Sequence, residues 1–319
     1  MSVENQHWLP KLLLKNFADA DGRVYCLDIH SDEVTKPPPR LAASEPGFND
    51  FEIDGRLVSF EDLLEKIETR AAPVFKRIVA KRSLAGLPAR DREYVARFVA
   101  TQSIRTKAFY EGLKDKPARA EFGARLKYMW LSSLISASEI ARRQWALMVI
   151  EGDEVFYLGD NPVVLQRTLN PKDGSNLGFD VAGVEAFLPL SPKCALYMAC
   201  PVIGRAIISN YETATALHRR TRLAIFSGAG GGGADLRISQ DIIRRSHNIY
   251  KAFAEGAPLV AEPANIENLN YLQCAWSFSK LYSNRKDFVF ARYVFRKTPQ
   301  YRDVVRTSLL EKGRIFLAG

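Results

Sequence analysis

Cysteine is scarce, at four in 319 residues, and Cys26, Cys194, Cys200 and Cys274 lie far apart, with no Cys-x-x-Cys and no histidine at zinc-ligand spacing. That excludes a disulfide-stapled secreted scaffold and a structural zinc finger, and four reduced thiols are the expectation. Histidine is equally sparse, at four. No Gly-x-Ser-x-Gly elbow occurs and no Cys–His pairing is suggested by spacing, so nucleophilic hydrolase templates fit poorly. No apolar run approaches the ~18 to 20 residues that cross a bilayer. Residues 1–7 lack the basic region and apolar core of a secretion leader. A cytoplasmic chain with no membrane partner is expected.

What is present is ordinary globular material: 47% apolar, 25% charged, 20 glycines and 16 prolines. A chain this long can bury a sizeable core as one domain or two. The net charge of +9 attracts polyanions and says nothing about fold. It is uneven. Residues 51–150 carry 19 basic and 12 acidic side chains and residues 236–319 carry 14 and 7, whereas residues 151–235 carry 7 and 9.

The basic blocks have helical texture. Phe60, Leu63, Leu64, Ile67, Ala71, Val74, Phe75 and Ile78 recur at helical spacing behind a capping box at Ser59-Phe60-Glu61-Asp62, which predicts a helix over 60–82. Pro88 opens a second long helix that ends before Pro117, and a third covers 119–143. From Trp145 the pattern changes to short apolar runs separated by turn residues: 145–150, 155–158, 162–165, 186–190, 194–200 and 223–226 read as strands. Residues 239–254 and 266–282 read as helices, and 288–295 fits either state. The glycine run at 228–233 lacks the Gly-Lys-Ser/Thr ending of a phosphate loop and reads as a flexible loop. The fold class expected is α+β, with long amphipathic helices around a small, mostly antiparallel central sheet. One domain over 1–319 is expected, divisible into a helical part over 56–143 and a sheet-containing part over 144–319 packed with residues 1–55.

Three places carry polar residues against an apolar background. His7 precedes a helix start at Pro10, where the positive end of the helix dipole favours neutral imidazole, a form able to act as base or ligand. It could equally be a core hydrogen-bonder. Gln102 lies on the apolar stripe of Val95, Phe98 and Val99, and Arg105 shares that face. A buried Gln–Arg pair either anchors a loop or presents a guanidinium fork to an anion. Asp160-Asn161-Pro162 ends a buried strand, where a catalytic carboxylate and a plain Asx turn are both at home. Glu185, Asp153 and Glu154 are the only neighbours offered for a metal there. The pairs Lys81-Arg82, Arg142-Arg143, Arg219-Arg220 and Arg244-Arg245, interleaved with Tyr250, Tyr282 and Tyr301, could track a phosphate backbone, although solvated helix faces describe them as well. His218 and His247 read as solvated basic surface.

Several ordered pieces together give a resemblance: Gln6-His7-Trp8-Leu9-Pro10 with Leu14 and Asn16-Phe17, Gly47-Phe48, Glu68, Ala100-Thr101-Gln102-Ser103-Ile104-Arg105-Thr106, Asp160-Asn161-Pro162-Val163, Leu188-Pro189-Leu190-Ser191-Pro192, and Asn268-Leu269-Asn270. The chain resembles the bacterial and fungal family labelled domain of unknown function four-two-three-eight, over most of its length. Gly159 stands where that pattern leads one to expect a small hydroxyl residue. The resemblance names no substrate or cofactor, but it implies that His7, Gln102, Arg105, Asp160 and Asn161 converge.

On these grounds the leading expectation is a protein that engages nucleic acid or a nucleotide and cleaves a phosphodiester. His7 and Asp160 would be catalytic, with Asp160 orienting His7 or helping to hold a divalent metal. Gln6, Gln102, Arg105 and Asn161 would bind substrate. The alternative is a non-catalytic regulatory module whose basic faces dock nucleic acid or a protein.

Overall fold

The computed structural model describes residues 5–53, 55–114, 119–169, 177–228 and 233–302. In chain order, β1 (Gln6–His7) leads into α1 (Lys11–Asn16), and β2 (Tyr25–Asp28), β3 (Val34–Thr35), β4 (Ser44–Glu45), β5 (Asp50–Ile53) and β6 (Arg56–Ser59) follow. A helical run then comprises α2 (Glu61–Lys81), α3 (Ala89–Ile104), α4 (Lys107–Lys114) and α5 (Arg119–Arg142). Next come β7 (Gln144–Val149), β8 (Leu158–Gly159), β9 (Val164–Arg167), β10 (Val184–Ser191) and β11 (Cys194–Ala199). The chain continues through α6 (Pro201–Phe226), α7 (Gly233–Glu255), β12 (Pro258–Val260), α8 (Pro263–Trp276), β13 (Lys280–Ser283) and α9 (Val289–Lys297).

The fold is α+β. The main sheet has the order β12-β7-β11-β10-β9, antiparallel except for the parallel pair β12–β7. Strand β10 is buried along its whole length, which is why Val184–Ser191 shows no alternation in sequence. A second, antiparallel sheet, β3-β2-β13-β8, brings the N-terminal hairpin against strands from beyond residue 157. Strands β1 and β4 pair separately, with His7 opposite Ser44. One large apolar cluster joins α1, α2, α3 and α5 to the inner face of the main sheet and includes the edge-on Phe75–Phe98 pair, its ring centroids 4.9 Å apart.

Several expectations are corrected. The capping box before α2 does not form: Phe60 is the N-cap residue, its side chain caps nothing, and only a 3.5 Å bond from the Glu61 amide to Ser59 Oγ remains. The second helix is broken in two at Arg105 and Thr106, where Arg105 leaves helical geometry and Thr106 Oγ1 accepts from the Phe109 amide to start α4. Residues 223–226 are the end of α6, not a strand, and 266–282 divides into the end of α8 and β13. Residues 288–295 resolve as helix, and 229–232 of the glycine run lie outside the described residues.

Arg143 is not surface charge. It is sealed beneath the main sheet, where Nη1 donates to the carbonyls of Val184 (2.7 Å) and Met198 (3.2 Å) and Nη2 to that of Phe179. Three backbone carbonyls gathered around its head are what make a buried guanidinium tolerable there. Tyr282 is likewise fully buried, and the His218 and His247 rings are half-buried in the α6–α7 seam, bonded to Ser239 and Tyr211.

Helices α6 and α7 form a long hairpin that packs chiefly on itself, rooted on β7 and β12. Gly256 ends α7 at φ +71° and lies so close to the turn between α2 and α3 that an added Cβ would sit 2.6 Å from the Ala85 nitrogen. Its carbonyl accepts from the Leu84 amide at 2.9 Å and Ser83 Oγ at 2.8 Å, fixing the hairpin's root.

Candidate ligand-binding cleft

A cleft of ≈ 640 Å³ is lined by one face of α1, one face of α2, and the side chains of His7 and Arg105. Helix α2 contributes Glu61, Asp62, Glu65, Glu68, Thr69 and Lys76, which recur at helical spacing and so share a face. Lys11 and Lys15 come from α1, four residues apart on its outer side. The cleft therefore mixes four carboxylates with four cations, and its two most buried polar side chains are His7, 6% exposed, and Arg105, 3% exposed.

Why these two residues stay put follows from their neighbours. Gln6, beside His7 on β1, donates to Asp50 Oδ1 at 2.9 Å and accepts from the Asn49 amide, and Asn49 Nδ2 donates to Glu61 Oε1 at 2.8 Å. Gln102, one helical turn before Arg105, donates from Nε2 to the Trp8 carbonyl at 2.9 Å and to the Arg105 carbonyl at 3.3 Å. That amide clamps the break between α3 and α4 onto the His7-Trp8 strand, so the guanidinium leaves the helix toward the cleft. Arg105 Nη1 donates to Glu68 on α2. Gln6 and Gln102, expected to touch substrate, bond to the protein itself and do not line the cleft; they position the residues that do.

Five buried polar atoms around this point have no partner among the described residues: His7 Nε2, Trp8 Nε1, Asn49 Oδ1, Arg105 Nε and Tyr110 Oη. Burial is the main force that brings the His7 pKa down to about 4, with Lys11 and Arg105 adding repulsion and backbone hydrogen bonds at Pro39 and Arg40 opposing the fall. At neutral pH the ring is uncharged. Because Nε2 is bare, those backbone bonds belong to Nδ1–H, and Nε2 carries a lone pair. Burial also pushes the Tyr110 hydroxyl well up, keeping it protonated.

Residues 5–287 match the family described as "Protein of unknown function (DUF4238)". The chain belongs to the DUF4238 family. No curated protein and no solved structure matches it. Of the pieces that carried the DUF4238 resemblance, Asn16 donates to the Leu190 carbonyl at 2.9 Å, and two further sets of contacts gather others. One is the cleft set: Gln6, His7, Glu68, Gln102 and Arg105. The other surrounds Asp160.

Asp160 is 1% exposed and does not bond to His7. Its Oδ1 accepts from the Phe278 amide at 2.7 Å, and its Oδ2 accepts from the Ser279 amide (2.8 Å), Ser279 Oγ (2.8 Å) and the Lys280 amide (3.0 Å). Burial raises its pKa and these donors pull it back, burial being the larger effect. The expected orienting of His7 by Asp160 is thus corrected: the carboxylate holds the turn from α8 into β13. Asn161, half-buried, follows it and does not line the cleft either. Nearby, Asn270 accepts from the Tyr157 amide and donates to the Val155 carbonyl, and Gln273 accepts from the Gly159 amide and donates to the Pro162 carbonyl.

Gly159 is accounted for by the same packing. A Cβ there would meet Ser277 Oγ and would lie 3.0 Å from Gln273 Oε1, so another element occupies the space a side chain would need. Glu185, offered as a metal partner for Asp160, instead accepts from Thr168 and Tyr197 on the main sheet. Among the described residues no three of His, Cys, Asp and Glu are placed to hold a metal ion. The residues that sequence reasoning missed are the cleft's charged walls, Lys11, Lys15, Glu61, Glu65 and Lys76. Acid pairs four apart on an amphipathic helix look like any solvated face until a second helix stands opposite.

Proposed function

We propose that the protein binds a small polar molecule in the His7–Arg105 cleft, and that the ligand carries both a cationic and an anionic group. The carrying observation is that two residues lining the cleft each hold a buried, unpartnered polar atom, the His7 Nε2 lone pair and the Arg105 Nε–H. Buried polar groups without partners are rare in proteins and are satisfied by water or a ligand. Here the complement is a ligand N–H or O–H toward Nε2 and an acceptor toward Arg105. The wall charges support a zwitterion over a long polyanion, because Glu61, Asp62 and Glu65 would repel a phosphate backbone that Lys11, Lys15 and Lys76 attract. The cleft volume is of the size that takes a molecule up to a nucleotide.

Calorimetry against a panel of amino-acid-like zwitterions, mononucleotides and short oligonucleotides tests this. Saturable one-site binding of a zwitterion is expected, weakened about tenfold or more by His7→Leu. Binding confined to oligonucleotides would contradict it.

Phosphodiester cleavage is the second reading, favoured by one observation: an uncharged imidazole whose bare nitrogen shares a cleft with a guanidinium, the pairing of a base with a phosphate clamp. In it His7 takes the proton of the attacking hydroxyl as its oxygen bonds to phosphorus, the bond from phosphorus to the leaving-group oxygen breaks and that oxygen takes the proton from the imidazolium, and Arg105 holds the phosphate, with no part for Asp160. Its check is RNA and DNA integrity with wild type beside His7→Ala; intact substrate in both removes it. Four free, buried cysteines support a reducing, cytoplasmic setting.

A further inference from the structure

The α6–α7 hairpin has a different surface from the rest of the molecule. Two helices of 26 and 23 residues make an arm about 35–39 Å long at 1.5 Å per residue, yet few of its side chains are buried. Its inner seam is small and polar: Ala214, Thr221 and Ser239 are buried there, Tyr211 stacks on Tyr250 at 4.0 Å, and Tyr211 Oη meets His247 Nδ1 at 2.8 Å. Val202, Leu217 and Ile242 are exposed along its length, but its most exposed apolar side chains gather at the far end. Phe226 is 93% exposed and Leu223 66%, with Ile225 and Ile238 beside them.

Below this apolar end lies a ring of positive charge. Residues 217–245 carry six arginines and two aspartates. Arg219, Arg220, Arg222 and Arg237 are all exposed and make no ion pair with a described residue, whereas Arg244 and Arg245 both engage Asp241. Arg222 is four residues before Phe226, so the cations sit roughly 6 Å down the arm from its apolar tip.

We infer that this tip docks on an anionic lipid bilayer, with Leu223, Ile225, Phe226 and Ile238 entering the acyl boundary and the four unpaired arginines meeting the headgroups. Two observations choose this occupant. Leu223 and Phe226 lie 60° apart on α6 at 100° per residue, with Ile225 about 160° from Leu223 and 100° from Phe226, so the apolar end spreads over almost half the helix circumference, wider than the narrow seam on which a partner helix packs. The arm's positive charge repels a second copy of itself, and an apolar tip has no counterpart in a phosphate backbone. An amphipathic end beside a cationic ring is the chemistry of surface attachment, a different device from a spanning helix. No helix among the described residues is long and apolar enough to cross a membrane.

The test is co-sedimentation of the full chain with vesicles of phosphatidylcholine, with and without phosphatidylserine, at low and high salt. Binding is expected only with phosphatidylserine, and it should weaken as salt rises. Paired replacement of Leu223→Ser and Phe226→Ser should abolish it. Replacing Arg219, Arg220 and Arg222 by Gln should lower the partition constant about fivefold per charge. Both variants should keep the wild-type circular dichroism, since these side chains are exposed. Three results would each overturn the inference: wild type that ignores phosphatidylserine vesicles, binding that the variants leave unchanged, or an arm-dependent dimer or RNA complex formed in place of vesicle binding.

Discussion

His7 ends a two-residue strand and Asp160 directly follows one, both are buried polar side chains, and their neighbours treat them oppositely. Around Asp160, four donors from three consecutive residues fill both carboxylate oxygens, and Asn270 and Gln273 satisfy the backbone on either side. Around His7, the bonds that fix the segment come from Gln6, Gln102 and the backbone, while His7 Nε2 and Arg105 Nε, on two residues that line the cleft, are left without a partner. A saturated polar cluster is fold chemistry, since it has nothing left to offer a ligand. An unsaturated one beside a cleft stores unmet hydrogen bonds at a price in stability, which a ligand can return.

Breaking the saturated side should have the largest effect. Asp160→Ala strips the acceptor from three backbone amides and a hydroxyl, and a loss of about 3–5 kcal/mol is expected in denaturant unfolding. Asp160→Asn, which keeps one acceptor oxygen, should lose less.

Acid should act through the unsaturated side. The folded-state pKa of His7, about 4, lies below the ordinary 6.5, so as pH falls the unfolded chain takes up a proton first. The stability given by neutral His7 is complete above about pH 6.5 and is lost progressively toward pH 4, by roughly 3 kcal/mol in all. Unfolding midpoints at about pH 7 and pH 4.5 should show that slope in wild type and a shallower one in His7→Leu.

A smaller effect is expected at Gly159→Ser. The added side chain must displace Ser277 Oγ and crowd Gln273, an overpacking of about 1–3 kcal/mol, readable as a lowered melting temperature with the cleft's ligand affinity unchanged. Coupled loss of affinity would mean that the two polar sets communicate.

Much of this architecture was legible in the residues. The apolar repeat of Leu64, Ala71, Val74, Phe75 and Ile78 is the buried face of α2, and Gln102, conspicuous as an amide on an apolar stripe, is the clamp between two segments 94 residues apart. What the sequence hid has physical causes. Nothing in Ser103-Ile104-Arg105-Thr106 marks a helix break, because the break is held by the Gln102 amide, bonded to the Trp8 carbonyl and to that of Arg105, rather than by glycine or proline. Arg143 looked like surface charge because its partners are carbonyls, which every residue has. The convergence implied for His7 and Asp160 failed because both stand out for the same local reason, a polar group on an apolar segment, and that reason carries no information about where in space the segment ends up.

The most direct measurement is denaturant unfolding of His7→Leu beside wild type near pH 7. If the Nε2 lone pair awaits a ligand and holds nothing in the fold, the variant loses only the Nδ1 bonds at Pro39 and Arg40 and stays within about 1.5 kcal/mol of wild type. A loss of 3 kcal/mol or more, the size expected for Asp160→Ala, would show that His7 is as structural as Asp160 and would contradict the distinction between the two sites.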